Sequence, residues 1–337
     1  MASGKEIKRR IKSIKNTGKI TQAMEMVSVA KMRRAISSVL AIRPYAHSAW
    51  SVLTNLARSF EQSRGGLLEV REVKRVLAVA ITSNRGLCGS FNSQIAKKIR
   101  DEISNPKNLK INRIGNKKIE SKISDKDLKI DFITVGKKGE LVVRRMCEPA
   151  RNATHASASS HSVAGGEIVA SFNDLTYLPK FEAVRAVGKI VIDDYMAKKY
   201  DKVVIFYTDY VSAIKQETKV RQILPLSKID LEKQMAEMDI LAQEYGLKKP
   251  KSEYKIEPSP EEVLDYIIPR LIEMQIYHAI LESNASKESA RMVAMRNATD
   301  AANEMADGFT LAYNQIRQMK ITQEIAEISA GMAALEQ

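Results

Sequence analysis

The last forty residues place an apolar side chain every four and then three positions, and this repeat constrains the chain more than any other feature. Ala298, Ala302, Met305, Phe309, Ala312, Ile316 and Met319 follow it without a break. After a two-residue phase slip it resumes at Ile321, Ile325, Ile328, Met332 and Leu335. A mean spacing of 3.5 residues belongs to a helix that keeps one face against a partner helix. The stripe continues almost to the last residue, where chains ordinarily fray, so this end is expected to be inserted into another body. Ser259-Pro-Glu-Glu262 supplies a start, with Ser at the N-cap, Pro at the first helical position and Glu at the third. From there only Pro269, Gly308 and Gly331 interrupt. A continuous helix would be roughly 115 Å long and must draw its stability from a partner.

The N-terminal segment is the candidate partner. Ile7, Ile11, Ile14, then Ile20, Met24, Val27, then Met32, Ile36, Val39 recur at helical spacing, and only Gly18 and Pro44 disturb the stretch from Lys5 to Gln62. That is a second rod of roughly 80 Å, with a kink expected at Pro44. Charge favours the pairing. The first 34 residues hold ten bases against Glu6 and Glu25, a net of +8, whereas the stretch from Glu261 onward holds six bases against twelve acids, a net of −6. The whole chain of 337 residues carries +14, so basic surplus remains for an acidic partner.

Between the rods the rhythm changes. Residues 76–81, 129–135, 202–208 and 216–224 read as strands; residues 92–103, a stretch from about 137, and residues 181–199 read as helices. Strands alternating with helices imply an open, Rossmann-like α/β domain covered on its faces. The expected division is a shaft helix over 1–62, an α/β domain over 70–225, a linker or insertion over 226–258 and a second shaft helix over 259–337. Stretches 105–127 and 227–257 look like surface elaborations, and 152–166, with His155 and His161, like a flexible loop. No apolar run approaches the roughly 20 residues that span a bilayer. The basic N-terminal segment reads as mature helix, not as a leader peptide.

Enzymatic chemistry is hard to find. The turn Thr82-Ser-Asn-Arg-Gly-Leu-Cys-Gly-Ser-Phe-Asn92 follows a strand and precedes a helix, the setting of a phosphate-binding loop. It carries neither of the glycine signatures of nucleotide loops, and Gly86 and Gly89 are expected to make a tight turn around a packed Cys88. Cys88 and Cys147 have no metal-ligand spacing, and no carboxylate pair lies near the two histidines to complete a metal site. No cofactor is expected. Two other classes remain in view: a basic coiled coil that grips nucleic acid, which requires steep salt dependence, and a nucleotide-binding enzyme domain over 70–225. Neither accounts for the opposite charges of the two rods.

Three stretches together resemble one family. Lys5-Glu-Ile-Lys-Arg-Arg-Ile-Lys-Ser-Ile-Lys-Asn-Thr-Gly-Lys-Ile-Thr-Gln-Ala-Met-Glu-Met-Val-Ser-Val-Ala-Lys-Met-Arg33 looks like the N-terminal helix of the gamma subunit of F-type ATP synthases. Arg85-Gly-Leu-Cys-Gly89, followed by Phe91-Asn92, resembles the turn after that family's first strand. Ser289-Ala-Arg-Met-Val-Ala-Met-Arg-Asn-Ala-Thr-Asp300 and Arg317-Gln-Met-Lys-Ile-Thr-Gln-Glu-Ile-Ala-Glu-Ile-Ser-Ala-Gly331 are similar to its C-terminal helix.

The resemblance implies a long antiparallel coiled coil on an α/β foot, a rotor without a catalytic site of its own. It would couple proton flow to ATP synthesis and regulate ATPase activity. The implied partners are the alpha and beta subunits of the catalytic ring, the epsilon (delta-type) stalk subunit and the membrane c-ring, with no nucleic acid. The implied place is the cytoplasmic face of a bacterial plasma membrane. Residue by residue it implies contacts to the beta subunits at Arg317, Gln318 and Arg85, and shaft or lever contacts at Met24, Lys19, Lys31, Arg33 and Arg34. The tip, Ile321, Ile325, Ile328 and Met332, would turn in an apolar sleeve. Ser286-Lys-Glu-Ser289 departs from the family's more usual Ser-Glu-His pattern, and the widely separated cysteines do not match the chloroplast redox insert.

Overall fold

A computed structural model describes residues 4–55, 66–114, 117–121, 123–124, 127–147, 166–226, 236, 240 and 260–335. Most of 227–257, residues 152–165 of the loop with its histidines, residues 56–62 and the Ser259 cap lie outside the described residues. Two helices dominate: α1, Gly4–Asn55, continuous through Gly18 and Pro44, and the helix Pro260–Leu335, continuous through Pro269. The chain forms two compact units. One comprises 1–30 and 291–337, the other 31–290.

The larger unit is built on a five-stranded sheet. Its strands are β1 (Arg75–Ile81), β4 (Lys129–Val135), β5 (Ile168–Phe172), β6 (Lys202–Tyr210) and β7 (Gln216–Leu224). The order is β5-β4-β1-β6-β7, parallel except for the antiparallel β6–β7 pair. A separate hairpin pairs β2 (Ile111–Ile114) with β3 (Lys117–Glu120). The helices of this unit are α2 (Phe91–Ser104), the single turn α3 (Lys107–Lys110), α4 (Lys137–Cys147), α5 (Phe181–Met196) and the lower part of α6 (Pro260–Leu335).

Strand β1 reads as an unbroken apolar run because both of its faces are covered. Its side chains divide by parity. Leu77, Val79 and Ile81 join a core with Val187 and Val191 of α5 and Ile272 and Ile276 of α6. Val76, Ala78 and Ala80 join a second core with Phe91, Ile95 and Ile99 of α2 and Val143 of α4. Two elements depart from the sequence expectation. Strand β5 is an edge strand whose residues alternate between half-buried and exposed. The hairpin β2–β3 lies within the stretch read as elaboration. Buried Lys202 fixes it by donating to Asn108 O and Ile111 O at 2.8 and 2.5 Å, and Asn112 donates to Arg71 O at 3.0 Å.

Polar groups also enter the α6–sheet interface. His278 and Glu282 are both buried, with Nδ1 and Oε2 3.4 Å apart. Burial pushes the Glu282 carboxyl up, but His278 and Arg221 outweigh it and hold the pKa below the ordinary value. A depressed folded-state carboxylate contributes stability above its unfolded pKa and loses it as pH falls through the folded pKa. Between pH 6 and pH 3 the wild-type chain is therefore expected to lose more denaturant resistance than Glu282→Gln. Equal losses in urea titrations at the two pH values would remove this role from Glu282.

Candidate functional site

Strands β1, β4, β5 and β6 are parallel, so the segments that follow them gather at one edge of the sheet. After β1 comes the turn 82–90, which holds Arg85. Leu87 and Gly89 have positive φ, +60° and +54°, so the left-handed positions fall on Leu87 and Gly89 and Gly86 is not needed for them. A leucine is strained there, and this one leaves 62 % of its surface exposed. Cys88 is packed at 2 %. Its neighbours are already satisfied: Asn92 Oδ1 accepts from Ser83 N at 3.1 Å, and Asn92 Nδ2 donates to Ser83 Oγ at 2.8 Å.

Several backbone donors at this edge are bonded internally. Thr82 N–H goes to Val135 O at 2.8 Å, Lys138 N–H to Ser83 O at 3.1 Å, and Phe91 N–H to Cys88 O at 3.2 Å. Lys137 N–H goes to Asn84 Oδ1 at 3.0 Å and Gly139 N–H to Thr82 Oγ1 at 2.8 Å. Gly136, at φ +102°, has no room for a side chain, because a Cβ would meet Thr82 O at 2.5 Å. These bonds tie the turn after β1 to the start of α4, at the edge where an open α/β sheet binds nucleotides. In the same unit, Lys31 of α1 is half-buried with its Nζ 5.6 Å above the Tyr177 ring, and Tyr177 OH donates to Lys31 O. Burial, reinforced by Glu288, raises the Tyr177 phenol to about 12. Arg33, Arg34 and Arg85 are exposed.

The smaller unit is an antiparallel helix pair. Gly4 stands against Tyr313, Gly18 against Ala302, Thr21 against Thr299 and Glu25 against Arg296. Each advance along α1 is matched by a retreat along α6. The seam is narrow: a Cβ on Gly18 would lie 3.5 Å from Ala302 Cβ, and the Thr21 and Thr299 hydroxyls are 2.7 Å apart. On α6 the seam runs Met292, Met295, Thr299, Ala302, Ala306, Phe309, Tyr313, Ile316, all buried or half-buried. On α1 it runs Ile7, Ile11, Ile14, Gly18, Thr21, Glu25, Ser28. Small and polar residues take places expected of larger ones. Ile20, Val27, Met305 and Met319, read from the sequence as interior, are 54–60 % exposed.

Heptad spacing then divides the pair into two flanks. The Glu25–Arg296 ion pair, 3.0 Å long, marks one. Lys8, Lys15 and Gln22, with Lys19 beside them, share it on α1; Asn303 and Arg317 lie one and three heptads after Arg296 on α6. The other flank begins with the exposed Glu6–Arg10 ion pair and becomes apolar at Ile20, Met24 and Val27 on α1, with Ala298, Met305 and Met319 on α6. From Arg317 to Met332 every residue of α6 is exposed. Ile321, Ile325, Ile328 and Met332 show 48, 59, 66 and 60 % of their surface, and Gln318 with Met319 and Thr322 lines a shallow groove just before them. The structure thus puts Lys19, Met24, Arg317, Gln318 and the tip on the helix pair, and Lys31, Arg33, Arg34 and Arg85 on the α/β unit. Leu87 is the notable omission from the sequence reading, since only its backbone conformation singles it out.

A family model described as "ATP synthase" matches residues 3–335, which sets the class. Curated relatives narrow it. An ATP synthase gamma chain from Chloroflexus aurantiacus is 38% identical over 339 residues, covering 99% of both chains. One from Trichlorobacter lovleyi is 36% identical over 100% of both. The rotor chain in the cryo-EM structure of Euglena gracilis mitochondrial ATP synthase shares the fold, with a TM-score of 0.55 and 18% identity over 94% of this chain and 98% of that one. The chain belongs to the ATP synthase gamma-chain family, and its function is that of a central-stalk rotor subunit. No helix among the described residues is long and apolar enough to cross a membrane.

The narrow seam predicts opposite outcomes for two substitutions at one position. Gly18→Ala fits at ordinary contact distance and replaces a poor helix former, so it should stabilise the chain by about 0.5–1 kcal/mol. Gly18→Leu must force the helices apart and should destabilise by about 1–3 kcal/mol. Urea midpoints of the two variants check both signs. The cysteines predict inertness. Burial raises Cys147 to about 11, leaving about one thiolate in ten thousand at pH 7, and Cys88 is enclosed. Neither should react with iodoacetamide in the folded chain within an hour, as intact mass would show.

Proposed function

We propose that this chain is the non-catalytic shaft of a rotary ATP synthase: the helix pair stands inside a ring of alternating alpha and beta subunits, and the α/β unit forms the foot. The exposed apolar tip carries this reading. A run of residues from Arg317 to Met332 with no covered side is costly in water and suits a helix that turns inside another protein's apolar sleeve. Apolar burial scales with area and has little angular preference, so Ile321, Ile325, Ile328 and Met332 can be held and still rotate. Directional catches must be few, because stripping one partner from a buried ion pair costs about 3–5 kcal/mol. Arg317 and Gln318 are the catches assigned to a beta-subunit loop at the shaft, and Arg85 at the foot, where strained Leu87 adds an apolar contact.

The two flanks give the shaft its asymmetry. During a turn each beta subunit meets first the cationic flank around Lys19, then the apolar flank around Met24, Ile20 and Val27. An acidic lever on the beta subunit is attracted by the first and left unpaired by the second. Lys31, Arg33 and Arg34, on the other unit, are assigned as further lever contacts. Alternation of this kind forces the catalytic sites through different affinities for ADP, phosphate and ATP, while the phosphate chemistry stays in the ring subunits. The foot takes the epsilon (delta-type) subunit and the c-ring as partners, and the complex sits on the cytoplasmic face of a bacterial plasma membrane with proton flow as its drive. Through the same contacts the chain regulates ATPase activity.

The direct test is reconstitution. Purified chain added to alpha and beta subunits should assemble an ATPase, and an Ile328→Cys variant should crosslink under oxidation to a cysteine placed in the ring's inner wall. Failure of both would sink the reading. Within the assembled membrane enzyme, Met24→Lys puts a charge on the apolar flank next to an acidic lever. Proton pumping per ATP hydrolysed should fall at least threefold; wild-type pumping in that variant would refute the lever assignment for Met24.

A further inference from the structure

From Glu273 to Ser289, helix α6 is tied to the α/β unit by polar groups on successive turns. Arg185 of α5 reaches Glu273 at 3.3 Å, with Arg270 of α6 itself holding the same carboxylate at 3.0 Å, and Tyr277 OH donates to Pro179 O at 3.2 Å. Three serines follow, each with no exposed surface. Ser283 Oγ accepts from Thr208 N at 3.1 Å, Ser286 Oγ donates to Thr208 O at 3.2 Å, and Ser289 Oγ donates to Ala213 O at 2.5 Å while accepting from Gln216 Nε2 at 3.1 Å.

The strand explains why hydroxyls are needed here. Strand β6 pairs with β1 only as far as Phe206, although β6 itself runs to Tyr210. Thr208 therefore lies beyond the reach of β1, with its backbone N–H and C=O buried. A buried backbone group must find a partner, and Ser283 and Ser286 supply both of them from one face of α6. An apolar side chain at either position would fill the space and leave the strand unsatisfied.

Such bonds also resist a motion that apolar packing does not. If α6 turns about its own axis, apolar contact area changes gradually, whereas a hydrogen bond to a fixed backbone atom fails within a few tens of degrees. One residue position on a helix is about 100°, so no neighbouring register restores the set. We propose that Ser283 and Ser286, backed by Ser289, are a torque key. They lock α6 against rotation relative to β6 and so pass torque between the α/β unit and the helix that continues to Leu335. The serines are positioning residues and touch no substrate. The inference rests on the rotor reading above.

The test uses the complete membrane enzyme carrying wild-type chain or Ser283→Ala/Ser286→Ala, with ATP hydrolysis and proton pumping measured together as the opposing proton gradient is raised. With wild type, pumping per ATP should hold nearly constant until stall; a wild-type enzyme that hydrolyses ATP without pumping would overturn the rotor reading itself. With the key removed, hydrolysis should stay within about twofold, while pumping per ATP falls threefold or more at high gradient and much less at low gradient. Simple loss of folded enzyme lowers both rates together and leaves their ratio unchanged at every load. That result, or a ratio equal to wild type throughout, overturns the key and leaves the rotor reading standing. If the double variant does not assemble, Ser286→Ala alone is measured in the same way and judged by the same ratio.

Discussion

Close approach of two helix backbones is the constraint on which the small unit depends. Gly18 beside Ala302, and Thr21 beside Thr299 with their hydroxyls 2.7 Å apart, leave no space for large side chains between the helices at this level. Glycine in mid-helix lowers helix propensity by about 1 kcal/mol relative to alanine, so the seam gives up local stability to gain proximity. The large apolar residues that an ordinary coiled coil would bury are displaced outward to Ile20, Val27, Met305 and Met319. A pair with a thin seam and an apolar exterior is incomplete in water. It is suited to being surrounded.

The α/β unit follows the opposite logic. Its sheet has the topology that in other proteins opens a ligand crevice, and at that edge Thr82, Ser83, Asn84 and Asn92 accept from neighbouring backbone N–H groups. Glu140 shows the same self-sufficiency: Asn173, Ser171 and Arg144 all donate to its carboxylate and hold its pKa below the ordinary range. What this edge offers outward is side-chain surface, with Arg85 and strained Leu87 at the turn.

Much of this was legible in the sequence, for identifiable reasons. Strands β1, β4 and β6 carry apolar runs rich in β-branched and aromatic residues, dense enough to be read without context, and β7 shows Thr218 and Val220 alternating with charged residues before Ile223-Leu224. Strand β5 does not: Ile168-Val-Ala-Ser-Phe172 follows an Ala- and Ser-rich stretch and half of it faces solvent, so its apolar signal is diluted. The coiled coil was visible as a period of 3.5, but its phase was not. Met305 and Ala306 are adjacent, and hydrophobicity favours Met305 as the interior residue; only the position of Ala302 against Gly18 decides for Ala306. Side-chain size outranks hydrophobicity when backbones are close. Leu87 was invisible for a different reason, since nothing in an Arg-Gly-Leu-Cys-Gly string says that the left-handed position falls on the leucine.

The long helix α6 joins these two kinds of surface in one continuous element, and its composition changes where the demand changes. Up to Ser289 it presents buried Glu273, Glu282, Ser283, Ser286 and Ser289 to fixed backbone and side-chain partners. Beyond Ala290 its seam is Met, Thr, Ala and aromatic, with one hydroxyl pair and one ion pair to α1. From Arg317 to Met332 every residue of it is exposed. Hydrogen bonds fix angle, and apolar contacts fix distance while leaving angle soft. A helix graded from the first to the second is stiff against twisting at one end and free to turn against its surroundings at the other. A rotating shaft requires that order along its length, and reversing it would give a tip that binds and a base that slips.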